Sequence, residues 1–140
     1  MLRYYSIMIV TLCGTLLAFQ CFGSISGALL ASRFSSSLND FYKSAKYTSY
    51  MIEKGNKQPD IYNDALLFSV AAGDFQQAFS LAGEMEKLGL KSPALALTLI
   101  SKKLKKKQFD EAIELISKYE GNIPEVLKIS MRAWIHIQKE

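Results

Sequence analysis

From Ser24 onward the chain alternates apolar stretches of helical spacing with short polar joints. Positions such as Leu66 and Val70, Phe79 with Leu81, and Ile113 with Ile116 recur at the three-to-four-residue interval of a buried helix face. Nowhere does the sustained alternation with turn dipeptides appear that a sheet needs. The pattern predicts seven helices, at about 25–37, 40–54, 60–72, 75–88, 93–106, 109–120 and 124–138, and an all-α fold. Joints of a few residues force consecutive helices to pack antiparallel.

The joints repeat. Shifting Gly73-Asp74-Phe75-Gln76-Gln77-Ala78 by 34 residues lands upstream on Asn39-Asp40-Phe41-Tyr42-Lys43-Ser44 and downstream on Lys107-Gln108-Phe109-Asp110-Glu111-Ala112. Pro59 and Pro93 keep the same interval and suit the first turn of a helix, where the missing N–H costs nothing; Ser92 can cap the second of them. Gly55 and Gly89 suit left-handed helix ends, and Gly121 with Pro124 is expected to repeat that exit and restart. A fixed period of this length marks stacked two-helix units, because one hairpin cannot bury its apolar face alone.

Residue size follows the same register. Ala31 and Ala65 on first helices, and Ser44, Ala78 and Ala112 on second helices, are expected where the two helices of a hairpin approach most closely. Phe41, Phe75 and Phe109 are expected to fill the space at the start of each second helix. Ala133 stands 34 residues after Leu99, so the last helix reads as the first half of a fourth unit, with Trp134, Ile135 and Ile137 making it apolar.

Composition adds little to this picture. Apolar residues make up 49% of the 140 and charged residues 21%, which is globular, and a formal net charge of +4 sets up no strong field. Cys13 and Cys21 are the only cysteines, both before Ser24, so no disulfide or thiol chemistry is available to the repeats, and no metal or cofactor is expected.

Residues 1–23 carry an export pattern: Arg3 as the positive flank, an apolar run from Ile7 to Phe19, then small residues at Gly23, Ser24 and Ser26. Cleavage after Gly23 or Ser26 fits. The alternative is an uncleaved anchor, with membrane contact through residues 4–32, since no charge separates Arg3 from Arg33. Either reading places the repeats outside the cytoplasm, in the periplasm if the host is bacterial.

The chain resembles the tetratricopeptide repeat family on Gly73, Asp74, Phe75, Ala78, Ala82 and Met85, with Pro93 at the repeat junction. The flanking units are degenerate, with Ser44, Thr48 and Met51 in the first and Ala112, Ile116 and Tyr119 in the third. With the leader, it is similar to exported tetratricopeptide proteins of alphaproteobacterial type. The resemblance implies a right-handed stack of about three and a half hairpins, with units near 25–58, 59–92 and 93–126 and a partial one over 127–140. It also implies a non-catalytic protein-binding scaffold. In that family partners lie along the concave face of first helices. Carried over by repeat position, that face comprises Leu29 and Arg33, then Asn63, Leu67 and Val70, then Leu97, Ser101 and Lys105, a mixture suited to an extended peptide or a partner helix. The family's carboxylate-clamp pattern is not matched: Asn63 is one position off and the basic partners are missing.

Other features read as structural. Lys102, Lys103, Lys105, Lys106 and Lys107 close a helix, where cations favour the carbonyl dipoles; a membrane-tethered assembly factor using this end on anionic lipid is the alternative. Asp110, Glu111 and Glu114 open a helix, where negative charge is favoured. Ser35, Ser36 and Ser37 form a polar helix end, and Tyr42, Tyr47 and Tyr50 read as packing residues. His136 is the only histidine, so no metal or catalytic set can be completed around it. Tyr62-Asn63 and the run Glu84 to Lys91 are also similar to the pentatricopeptide RNA binders. One such unit reads about one base, and the lysine run lacks interleaved aromatics, so nucleic acid is not the expected partner.

Overall fold

The computed structural model describes residues 24–139; the leader assigned to 1–23 lies outside them. Among the described residues there are seven α-helices and no strand: α1 (Ile25–Ser37), α2 (Phe41–Glu53), α3 (Pro59–Ala71), α4 (Phe75–Lys87), α5 (Pro93–Lys105), α6 (Phe109–Lys118) and α7 (Glu125–Lys139), with a 3₁₀ turn at Glu120–Asn122. Successive helices pack on one another, and α3 also reaches α5.

The joints work as the sequence predicts. Asp40 and Asp74 accept from the backbone N–H of Lys43 and Gln77 at 3.1 and 3.0 Å, and Ser92 accepts from Leu95 at 3.1 Å, each satisfying a donor that the first helical turn leaves unpaired. Pro59 and Pro93 open α3 and α5. Gly55, Gly73 and Gly89 are left-handed, and so are Asn39 and Lys107 at the two positions equivalent to Gly73. A left-handed residue therefore ends α1, α3 and α5 at one interval of 34, whatever its side chain.

The main core runs from α3 to α7 around Leu66, Ala78, Ala82, Met85, Leu95, Ile100, Ala112, Ile116 and Ile135. The first hairpin is held differently. Ser44 donates to the Ser32 carbonyl at 3.2 Å and Ser32 donates to that of Ser44 at 3.4 Å, both buried. Ser32, not Ala31, therefore makes the close contact with α2, and Ala31 is only half-buried.

Three further expectations are corrected. Phe41 stacks on Phe68 of α3 and Phe109 meets Trp134 of α7 edge-on, each with centroids 6.3 Å apart, but Phe75 is 50% exposed. The position equivalent to Phe68 is Lys102, which offers Phe75 no ring. Gly121 is not left-handed: α6 stops at Lys118, and a 3₁₀ turn carries the chain so that Ile123 is buried and α7 starts at Glu125. The last unit is thus shortened, Ala133 is exposed, and the buried positions of α7 are Lys128 and Ile135. Tyr42 is also exposed, whereas Tyr47 and Tyr50 are half-buried.

Candidate functional site: the first-helix face

Because neighbouring helices run antiparallel, α1, α3 and α5 run parallel. Cross-helix bonds tie alternate helices together: Arg33 pairs with Asp64 across α1 and α3 at 3.0 Å, Gln77 donates to Ser49 across α4 and α2 at 2.6 Å, and Lys118 pairs with Glu86 across α6 and α4 at 2.7 Å. The 34-residue register then lines up Leu29, Asn63 and Leu97 in one row, and Arg33, Leu67 and Ser101 in the next.

Leu29, Arg33, Leu67, Val70, Ser101 and Lys105 are exposed, while Asn63 and Leu97 are half-buried. Asn63 Oδ1 is buried and has no hydrogen-bond partner among the described residues. A desolvated acceptor of this kind costs about 1–3 kcal/mol until a donor reaches it. Lys105 is the residue that departs from the set. Its ammonium and that of Lys102 each lie 5.9 Å from the Phe79 ring of α4, which draws Lys105 toward the second-helix side.

The remaining charges are mostly absorbed by the fold. Lys103 pairs with Glu111, Lys139 with Asp110 at 2.6 Å, and Lys128 with Glu125 and Glu120 at 2.5 and 3.5 Å. The Glu125 hydrogen bond is the main cause holding the Lys128 ammonium above its usual pKa. The lysine end of α5 also stands at the edge opposite the start of α1, roughly 20 Å away along a 13-residue helix. A bilayer met at Ser24 with α1 standing away from it would leave those lysines at the far edge. Among the described residues no helix is long and apolar enough to span a membrane, and no group of three His, Cys, Asp or Glu could hold a metal; His136 is exposed on α7.

Sequence reasoning missed a concavity on the second helices. Tyr42, Lys46, Ser49 and Glu53 of α2 face Asp74, Gln77 and Ser80 of α4 across two adjoining hollows of about 340 and 180 Å³. Along the chain these residues read as an ordinary polar helix face, and the Gln77–Ser49 bond that bridges them has no sequence signature.

The fold and this face define a stack of helix hairpins with an exposed, mixed apolar and polar surface on its first helices. Comparison with protein families, curated proteins and solved structures found no match.

Proposed function

We propose that the chain is a non-catalytic protein-interaction scaffold, a right-handed tetratricopeptide-like stack that holds an extended peptide or a partner helix along the face of α1, α3 and α5. The observation that carries this reading is the exposed apolar pair Leu67 (46%) and Val70 (40%) on α3, flanked by exposed Leu29 and Arg33 on α1 and Ser101 on α5. Leu29, Leu67 and Val70 supply apolar contact, and Arg33 and Ser101 supply polar contact. Residues 1–23 act as an export signal that is removed, placing the scaffold in the periplasm of a bacterial envelope. Ser24 then begins the mature chain and already caps α1, its hydroxyl accepting from Gly27 N–H at 2.9 Å.

Crosslinking and pull-down from the native envelope test the proposal. Wild type should recover a protein that a variant changed together at Asn63, Leu67 and Val70 does not; equal recovery by both would overturn the assignment of this face.

A further inference from the structure

First helices of this stack close without cations, except one. α1 and α3 have no basic residue in their last turn, whereas α5 ends on Lys102, Lys103 and Lys105, followed by Lys106 and Lys107. At the five equivalent positions, one and two repeat intervals earlier, no residue is charged; the second unit carries Phe68, Ser69, Ala71, Ala72 and Gly73 there. Lys107 even stands in left-handed backbone, at φ 58°, where the second unit has its glycine. Closing the helix does not call for these lysines.

Two of them are placed by a ring. The ammonium groups of Lys102 and Lys105 each lie 5.9 Å from the centre of Phe79, whose ring meets that of the half-exposed Phe75 at 6.5 Å. A carboxylate partner would cancel the charge it holds, but an aromatic face attracts an ammonium and leaves its charge whole. The carboxylates on the adjoining turns are engaged elsewhere: Asp74 caps Gln77, Glu111 pairs with Lys103, and Asp110 pairs with Lys139. Among the described residues no carboxylate pairs with Lys102, Lys105, Lys106 or Lys107.

We infer that this edge of α4 and α5 docks an acidic peptide segment of a partner protein, with carboxylates on Lys102 and Lys105 and an apolar side chain against Phe75. Charge sets the chemistry of the occupant. Carboxylates two residues apart on an extended chain project to one side about 7 Å apart, a spacing that two ammonium groups gathered at one ring can meet. Lysines ordered beforehand by Phe79 also lose less side-chain freedom on binding. Nucleic acid fits less well, because the ammonium groups occupy the Phe79 face and the cluster holds no arginine to grip phosphate. An anionic bilayer answers to summed charge and has no use for the ring. The inference does not depend on what the face of α1, α3 and α5 binds.

Fluorescence anisotropy of a labelled oligoglutamate peptide ending in phenylalanine, titrated with the chain as isolated from its host, tests it. Wild type should bind this probe and not its glutamine counterpart, and added salt should weaken the binding. Lys102→Gln with Lys105→Gln should weaken it at least ~10-fold, and Phe79→Leu, which keeps every charge, about 3-fold. Lys87→Gln with Lys91→Gln removes the same net charge from exposed lysines at the joint between α4 and α5, on the opposite edge, and should change binding less than about 2-fold. Absence of binding by wild type, equal losses from the two lysine pairs, or wild-type binding by Phe79→Leu overturns the docking site. So does displacement of the probe by oligothymidylate, or by phosphatidylglycerol vesicles, at a lower charge concentration than by unlabelled peptide; that result would assign the lysines to nucleic acid or to lipid.

Discussion

The Tyr62 hydroxyl donates to a Glu84 carboxylate oxygen at 2.6 Å, tying α3 to α4 inside the central hairpin. Burial, and then this bond, push the Tyr62 pKa up to about 12, because both favour the neutral phenol. The folded pKa lies above the unfolded value of 10.0, so the contribution is complete below pH 10 and is lost as pH rises through about 12. Tyr62→Phe should cost about 1–2 kcal/mol at neutral pH. The gap in thermal midpoint between wild type and Tyr62→Phe should narrow between pH 9 and pH 12; a constant gap would mean the bond contributes nothing.

Ala78 is fully buried where α4 meets its neighbours, and Ala31 is half-buried on the flank of α1. Ala78→Leu should therefore overpack the stack and cost about 1–3 kcal/mol, while Ala31→Leu should lie within about 0.5 kcal/mol of wild type. Chemical denaturation compares the two directly, and an unchanged midpoint for Ala78→Leu would defeat the 34-residue packing register.

The three phenylalanines that open the second helices should separate energetically. Phe41 and Phe109 each have an aromatic partner on another helix, whereas Phe75 meets the Phe79 ring of its own α4 at 6.5 Å and stays half exposed, so Phe41→Ala and Phe109→Ala should cost about 2 kcal/mol and Phe75→Ala under about 1 kcal/mol. Equal losses in urea titrations would contradict the unequal packing.

Two backbone substitutions should stabilise the chain. Gly83 lies inside α4 with open space around an added Cβ, so Gly83→Ala should gain about 0.5–1 kcal/mol. Lys107 holds φ at 58°, where a Cβ is strained, and Lys107→Gly should gain up to about 1 kcal/mol. Raised thermal midpoints for both are the expected outcome.

The joints were legible in the sequence because their chemistry is local. An aspartate or serine caps the N–H groups within its own next turn, a proline opens a helix, and a glycine ends one, so α1 and the starts of α4 and α5 fall on their expected residues; α6 also starts at the expected Phe109, by register alone, since Gln108 makes no side-chain cap. Lys107 shows the limit of that reasoning: position within the repeat, not residue type, sets its left-handed turn. What depends on a distant neighbour was not legible. Phe75 finds a ring only in Phe79 of its own helix and stays half exposed, Ala31 is half-buried while Ser32 takes the close contact, and α6 ends early as Ile123 is buried. At the candidate site, the 34-residue interval lined up the rows on α1, α3 and α5, but neither the displacement of Lys105 to Phe79 nor the unpaired Asn63 Oδ1 has any trace in the chain's pattern.

Site-specific photo-crosslinking in the native envelope tests the central claim most directly. A photoreactive residue at Leu67, on the first-helix row, is compared with one at Ser80, in the hollow between α2 and α4. The expected result is a discrete adduct from Leu67 and none from Ser80. An adduct from Ser80 with none from Leu67 would place the partner on the second helices and contradict the proposed binding face.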